Sequence, residues 1–236
     1  MPRTQTPKVM QTRYARGPFE PPSAARVQVG IDEAGRGPLL GRVYTAAVVL
    51  PEETDTFKID FNMVKDSKRF SSEKRLLEAE EYIKANALFW SVSWRDEKEI
   101  DRYNILSCTL SAMQDAARDV VLQATASSHD VDDILLVVDG NNFRPVAVMT
   151  DEHKFRPIEH VLVPKGDDTY AQIAAASILA KSARDRYIYE LCDKEPALDT
   201  LYNIRSNKGY GTKRHMDAIA EHGPSEWHRR SFAPCR

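Results

Sequence analysis

Two apolar segments near the beginning of the chain, residues 27–31 and 43–50, restrict the possible folds more than any other feature. Each segment has the length and composition of a β-strand. Only eleven residues separate them, and these include three glycines and a proline. A crossover between parallel strands needs about a dozen residues or more. The short connection therefore predicts that the two strands are antiparallel neighbours.

The remaining sequence alternates between strand and helix patterns. Residues 134–138 are all apolar, which is typical of a short strand buried on both faces. Apolar residues at helical spacing predict a long helix from residue 105 onwards. Its predicted buried face consists of Ile105, Leu106, Thr109, Leu110, Met113, Ala117, Val120 and Val121. The other predicted elements are helices over 71–85, 168–193 and 212–221, and strands over 87–94 and 160–163. We therefore expect an α/β fold, a mixed β-sheet flanked by helices with a C-terminal helical segment.

The chain has 236 residues, which suits one α/β domain over 26–236 after a basic N-terminal arm, residues 1–25. A net charge of −2 excludes a general basic coat, so nucleic acid would have to be bound by local charge. The three cysteines are widely spaced and form no CxxC motif. This spacing argues against a zinc site or a disulfide framework and favours a reducing compartment.

The arm is rich in basic residues, since Arg3, Lys8, Arg13 and Arg16 lie in its first nineteen residues without any acidic residue. We expect the arm to be disordered. The alternative is an organellar presequence, because these are rich in arginine and poor in acidic residues. No apolar run is long enough to cross a membrane. We therefore expect a cytoplasmic protein, or an organellar one if the arm is a presequence.

Carboxylates follow the predicted strands. Asp32 and Glu33 follow the first strand, Asp139 follows the strand 134–138, and Asp167 and Asp168 come at the start of a predicted helix. Active sites of open α/β sheets lie where strands end. Converging carboxylates repel each other unless cations lie between them, and their hard oxygen ligands suit Mg²⁺ or Mn²⁺. Each piece also has a structural explanation, because these acids are common in turns and at helix N-caps.

A glycine-rich turn, Gly35-Arg36-Gly37, directly follows the first acidic pair. Glycines allow a backbone to approach a ligand closely, and their N–H groups can meet a sugar hydroxyl or a phosphate. A dinucleotide-binding loop fits poorly. Its third glycine would fall at Leu40, and a strand follows where that motif requires a helix.

Seven segments resemble the bacterial-type ribonuclease HII family, the type 2 ribonucleases H, and they occur in the family's order. The resemblance runs from about residue 27 to residue 236. The segments are VGIDEAGRGPLLG (29–41), DSKRFS (66–71), YNILSCTLSAM (103–113), VVDGN (137–141), KGDDTYAQIAAASILAKSARD (165–185), NKGYGTKRH (207–215) and HRRSFAPCR (228–236).

The resemblance implies an RNase H-like fold and four catalytic, metal-binding carboxylates at Asp32, Glu33, Asp139 and Asp167. Asp167 is preferred to Asp168 because it directly follows a Lys-Gly pair, as the family acid does. It also implies two-metal-ion catalysis, which activates a water and stabilises the leaving 3′-oxygen. The expected activities are hydrolysis of the RNA strand of RNA/DNA hybrids and nicking on the 5′ side of ribonucleotides in duplex DNA. The products carry 3′-hydroxyl and 5′-phosphate ends, and the expected roles are ribonucleotide and primer removal.

By the same resemblance, Gly35, Arg36, Gly37 and Tyr210 recognise the 2′-hydroxyl, the group that separates RNA from DNA. Ser67 and Lys68 are expected to face the substrate backbone. From residue 205 to the end there are seven Lys or Arg and three acidic residues, which predicts a local charge for phosphates.

Two other functions are compatible with parts of the pattern. One is a different metal-dependent phosphodiesterase or phosphoryl-transfer enzyme that uses the same four acids. The other is a non-catalytic nucleic-acid-binding module, against which the intact acids argue. The resemblance also favours a monomer.

Overall fold

The computed structural model describes residues 10–14, 27–64, 70, 72–149 and 153–236. Five strands form one sheet in the order β3-β2-β1-β4-β7, and β5 and β6 form a separate hairpin. The strands are β1 (Val27–Ala34), β2 (Val43–Val49), β3 (Phe89–Arg95), β4 (Ile134–Asp139), β5 (Ala147–Met149), β6 (Phe155–Pro157) and β7 (Glu159–Val163). The hairpin was not predicted, because three-residue strands are too short for a periodic pattern.

The antiparallel pairing of the first two strands is confirmed, and the sheet is mixed, since β4 lies parallel to β1 on its other side. The predicted end of the first strand was wrong. Strand β1 continues through Asp32 and Glu33 to Ala34, because its pairing with β2 extends as far as the Ala34–Tyr44 pair. The acidic pair is therefore fixed by strand hydrogen bonds.

The helices are α1 (Glu73–Asn86), α2 (Glu97–Tyr103), α3 (Ile105–Ala126), α4 (Ala171–Lys194), α5 (Pro196–Tyr202), α6 (Ile204–Asn207) and α7 (Lys213–His222). Thr212 caps α7, as its predicted bounds imply. The predicted start of the fourth helix was wrong. A 3₁₀ turn, Gly166–Asp168, precedes it, and its N-cap is Tyr170, which makes no side-chain cap bond. Neither Asp167 nor Asp168 is therefore the cap of α4.

The long helices α3 and α4 cover opposite faces of the sheet. Helix α3 buries apolar side chains such as Met113 and Val120 against Ile31 of β1. Leu106, which we placed on this buried face, is 39% exposed. Helix α4 lies very close to β1, because a Cβ on Gly30 would be 2.2 Å from the carbonyl carbon of Gln172. This close approach brings the beginning of α4 next to the acidic end of β1.

Residues 10–14 of the predicted arm lie against the domain. The backbone of Gln11 bonds to Thr169 and Ala171 at 2.7 and 2.9 Å, and the ring of Tyr14 lies 5.5 Å from that of Tyr170. These contacts involve only residues 10–14, because residues 1–9 and 15–25 lie outside the described ranges, so the disorder of the arm stays a prediction. Within those ranges no helix is both long and apolar enough for a membrane span.

Candidate active site

The four predicted carboxylates meet at one edge of the sheet. Strands β1 and β4 are parallel, and the Ile31–Val138 pair places the next residues, Asp32 and Asp139, side by side. The carboxylate of Asp139 accepts a hydrogen bond of 2.6 Å from the backbone N–H of Gly166. This bond fixes the turn that carries Asp167. The topology thus gathers acids that are more than a hundred residues apart in sequence.

Burial and mutual repulsion make this edge electrostatically unfavourable. Asp32 is 5% exposed, and its burial, followed by the charges of Glu33 and Asp139, raises its pKa well above the usual range. Burial also raises the pKa of Glu33, although a hydrogen bond from Arg36 partly offsets this. The pKa of Asp139 is raised by burial and by the charge of Asp167. A cation at this edge would relieve the repulsion.

The donor set fits a hard divalent cation, because every donor is a carboxylate oxygen. In the described part of the chain, no three His, Cys, Asp or Glu side chains are already arranged around an ion position. All four acids already have hydrogen-bond or ion-pair partners, since Asp32 accepts the backbone N–H of Glu33 and Asp167 accepts that of Asp168. Asp139 accepts the Gly166 N–H, and Glu33 pairs with Arg36 at 3.1 Å. The chemistry of the residues therefore fits Mg²⁺ or Mn²⁺, while their side chains would have to turn to bind it.

Asp167 and Asp168 differ in their surroundings. Asp167 is 7% exposed, and its charge acts on both Glu33 and Asp139. Asp168 is more exposed. The turn that presents them depends on Gly166, where a Cβ would lie 2.4 Å from a side-chain carbon of Ile173. This arrangement supports the choice of Asp167, whose role as a metal ligand remains a prediction.

The loop Gly35-Arg36-Gly37 directly follows β1, the strand that carries Asp32 and Glu33. Gly35 has a φ of +93°, and a Cβ there would lie 2.3 Å from Nε of Arg184. A Cβ on Gly37 would lie 3.6 Å from the ring of Tyr210, which is 44% exposed. The loop, Tyr210 and the acidic edge therefore form one continuous surface.

Two buried arginines, Arg184 and Arg229, support this loop from the protein interior. Neither role was predicted from the sequence. Arg184 of α4 donates a hydrogen bond of 2.8 Å to the carbonyl of Lys208. Arg229 donates to the carbonyls of Gly35, Arg36, Pro38 and Gly41 at 2.7–3.0 Å. Arg229 is fully buried, so it does not belong to the phosphate-binding charge that we predicted for the C-terminal segment.

A pair of buried histidines anchors Tyr210. Nδ1 of His228 accepts the backbone N–H of Ser225 at 2.9 Å, so in the neutral ring the proton lies on Nε2. That Nε2–H then donates to Nε2 of His215 at 2.9 Å, and Nδ1–H of His215 donates to the carbonyl of Tyr210 at 2.9 Å. Burial, followed by the charges of His215 and Arg230, lowers the pKa of His228 to about 4. The relay is complete only when both rings are neutral.

Two predicted backbone contacts, Ser67 and Lys68, lie outside the described residues. The other eight predicted site residues are described. They fall into two adjoining groups, the carboxylates Asp32, Glu33, Asp139 and Asp167 and the recognition surface Gly35, Arg36, Gly37 and Tyr210.

The mixed sheet flanked by helices, with acids at its strand ends, is an RNase H-like fold. The solved ribonuclease H2 of Pyrococcus horikoshii has this fold, with a TM-score of 0.61 at 23% identity, over 89% of this chain and 95% of that one. Bst-RNase HIII in complex with Mn²⁺ gives a TM-score of 0.59 at 18% identity, over 89% and 68%.

The chain belongs to the ribonuclease HII family, whose model matches residues 29–235. A ribonuclease HII of Trichormus variabilis is 40% identical over 207 residues, which cover 88% of this chain and 81% of that protein. The predicted family and fold are therefore confirmed. The protein is an endonuclease of the ribonuclease H type, and its substrates are RNA/DNA hybrids.

Proposed function

We propose that this ribonuclease H also nicks duplex DNA on the 5′ side of a single embedded ribonucleotide. The observation that carries the proposal is the contact between the loop and Tyr210 directly beside the acidic edge. Gly37 approaches the Tyr210 ring, and Arg36 pairs with Glu33 of the edge. A sugar bound on this surface would lie next to the bond that is cut, so one ribonucleotide suffices for recognition.

Recognition of that sugar rests on the 2′-hydroxyl, which both donates and accepts hydrogen bonds. The backbone is exposed at Arg36 and Gly37, whereas Gly35 is buried and Arg229 occupies the carbonyls of Gly35 and Arg36. The phenol of Tyr210 supplies a further polar group, and its ring supplies a face for the adjacent sugar. Arg229 and the His215–His228 pair hold the two parts of this surface in place.

Asp32, Glu33, Asp139 and Asp167 are the proposed ligands of two divalent cations, Mg²⁺ or Mn²⁺. The oxygen-only donor set and the mutual repulsion of the acids support this, and so does the Mn²⁺ complex of Bst-RNase HIII. When bound, the ions supply an activated water and stabilise the leaving 3′-oxygen, which leaves 3′-hydroxyl and 5′-phosphate ends. The hydrogen bond from Gly166 keeps Asp139 beside the turn that carries Asp167.

The proposed cellular role is the removal of ribonucleotides and primers from DNA. We propose that the protein acts in the cytoplasm as a monomer. An unrelated metal-dependent phosphodiesterase or a non-catalytic binding module is a weaker alternative, because neither needs a sugar-recognition surface beside the acids.

The test compares wild-type protein with Tyr210→Phe and Asp139→Asn on three duplexes, which carry a long hybrid, one ribonucleotide or DNA only. We expect Asp139→Asn to lose cleavage of every substrate. Tyr210→Phe should lose cleavage at the single ribonucleotide at least about tenfold, as expected for a buried polar contact. Wild-type rates for Asp139→Asn would overturn the metal-site assignment, and wild-type rates for Tyr210→Phe would overturn the role of the phenol.

A further inference from the structure

A second cleft opens beside the active site, on the other flank of the first turns of α3. Its volume is about 450 Å³, and the charged and hydroxyl side chains in its wall are Arg95, Glu99, Tyr103, Ser107, Ser111 and Arg144. Residues of the same helix turns, such as Leu106 and Thr109, line the small pocket that contains Glu33 and Asp139. The two pockets are therefore separated only by the beginning of α3.

The sheet topology places this cleft at the acidic edge. Strand β3 runs in the same direction as β1, because each is antiparallel to β2, so its last residue, Arg95, lies at that edge. Glu33 of β1 pairs with Thr45 of β2, and Thr45 pairs with Ser93 of β3. Arg95 therefore lies two strands away from Glu33 and two residues beyond Ser93 along β3. Side chains alternate along a strand, so Arg95 faces the α3 side, as Glu33 does. Their Cα atoms are roughly 12 Å apart, from typical strand spacing and rise.

The polar groups of the cleft form two guanidinium–hydroxyl pairs. Nη2 of Arg144 donates to Oγ of Ser107 at 3.1 Å, and Nη2 of Arg95 donates to Oγ of Ser111 at 2.9 Å. Each hydroxyl therefore keeps its own O–H free to donate to a ligand. Arg144 is exposed and has no carboxylate partner in the described part of the chain. Arg95 also donates to Asp115 and to the carbonyl of Trp94, so the donors open to an anion with several oxygens are those of Arg144 and the two hydroxyls.

The charge balance favours a singly charged anion. Arg95 contacts Glu99 and Asp115, and Asp115 also binds Arg118. Of the charged side chains that line the cleft, two are positive, Arg95 and Arg144, and one is negative, Glu99. A net charge of one matches a phosphodiester group. Guanidinium groups bind phosphate oxygens in a planar, two-point geometry.

We propose that this cleft binds a backbone phosphodiester of the nucleic-acid substrate, several nucleotides from the bond that is cut. The proposal rests on the proposed function, which places the cut at the acidic edge. A distance of about 12 Å corresponds to three or four base pairs at roughly 3.4 Å of rise each. A phosphate held there fixes the register of the duplex without reading its sequence.

The test uses Arg144→Ala, with Arg156→Ala as a matched control. Arg156 is also an exposed arginine, but it pairs with Asp132 near the opposite end of β4. Both variants and the wild type are assayed on hybrid duplexes that each carry one uncharged methylphosphonate at a different backbone position. For the wild type, we expect kcat/KM to fall about five- to tenfold at one position, three or four nucleotides from the cut. For Arg144→Ala, kcat/KM on the unmodified duplex should be lower than that of the wild type by the same factor, mainly because KM is higher. A methylphosphonate at that position should not lower the kcat/KM of Arg144→Ala any further.

A second readout is the salt dependence of cleavage. The slope of log kcat/KM against log salt concentration should be smaller by about one for Arg144→Ala, and unchanged for Arg156→Ala. The same methylphosphonate profile and salt slope for both variants would overturn the phosphate subsite while leaving the proposed function intact. Hybrid cleavage that Asp139→Asn leaves unchanged would show that the cut does not lie at the acidic edge, and would overturn the proposed function and the subsite together.

Discussion

The guanidinium of Arg229 donates a hydrogen bond of 2.7 Å to the carbonyl oxygen of Gly35, 194 positions earlier in the chain. The same side chain also satisfies three further carbonyls of the loop that follows β1. The last residues of the chain therefore determine the shape of the proposed sugar-recognition loop.

Substitution Arg229→Ala should destabilise the protein and loosen this loop. Four carbonyl oxygens would lose a partner in a buried environment, and each unsatisfied group costs about 1–3 kcal/mol. We expect the free energy of unfolding, measured in urea, to fall by at least about 3 kcal/mol. The neighbouring Arg230 is exposed, so Arg230→Ala is the matched control. Equal stabilities of the two variants would show that the bonds of Arg229 contribute little.

Substitution Asp32→Asn should stabilise the metal-free protein while it abolishes cleavage. The charge of Asp32 is buried beside two other carboxylates, so its removal should raise the free energy of unfolding by on the order of 1 kcal/mol or more. Activity should fall more than about 100-fold, because a proposed metal ligand is lost. A destabilised variant would contradict the unfavourable burial of this charge, and a variant with wild-type activity would contradict the proposed metal ligand.

The raised pKa of Asp32 also predicts a pH dependence. A carboxyl group whose pKa is higher in the folded than in the unfolded state binds more protons when folded. The metal-free protein should therefore lose stability as the pH rises through the raised pKa. Mg²⁺ or Mn²⁺ should reverse this loss, so the increase in Tm on adding metal should become larger as the pH rises. A metal-independent Tm at pH 8 would contradict the proposed metal site.

Neighbouring substitutions test the choice of the fourth ligand. Asp167 is buried and acts on Glu33 and Asp139, so Asp167→Asn should reduce kcat more than about 100-fold. Asp168→Asn, on a more exposed residue, should retain activity within about threefold. The assay is hybrid cleavage under saturating Mg²⁺. The reverse order of effects would assign the ligand to Asp168.

The histidine relay predicts an acid-sensitive fold. His228 has a pKa of about 4 in the folded protein, against about 6.5 in the unfolded chain, so the unfolded state binds more protons between these values. This contribution to the free energy of unfolding is complete above pH 6.5 and is lost as the pH falls towards 4. The free energy of unfolding, measured in urea at several pH values in this window, should depend less steeply on pH for His228→Gln than for the wild type. Identical slopes for the wild type and the variant would contradict the neutral relay.

The sequence predicted local features well. The short connection after residue 31 led to the antiparallel pair, and the position of each acid relative to a strand led to the acidic edge. The exact start of α4 was not predictable, because Asp167 and Asp168 suit both a helix cap and a 3₁₀ turn. The folded chain forms the 3₁₀ turn, which is fixed by the hydrogen bond between Gly166 and Asp139, 27 residues apart in sequence.

Features that depend on long-range contacts were not visible in the sequence. Arg229 looked like one of several terminal arginines, and only the folded chain shows that it is buried against the loop. The His215–His228 pair likewise joins two segments that show no common pattern. Helix α2 was missed because seven residues give too little periodicity, although its capping box of Asp96 and Glu99 was readable.

Cleavage of a matched set of labelled duplexes measures whether a single ribonucleotide directs the cut. The set contains a DNA duplex with one ribonucleotide, the same duplex without it, and an RNA/DNA hybrid, each with Mg²⁺ or Mn²⁺ and with a chelator. We expect a single nick on the 5′ side of the ribonucleotide, cleavage of the hybrid, no cutting of the DNA-only duplex and no activity with chelator. Equal cutting of the DNA-only duplex would contradict recognition of the ribonucleotide, and nicking that persists in the chelator would contradict the metal site.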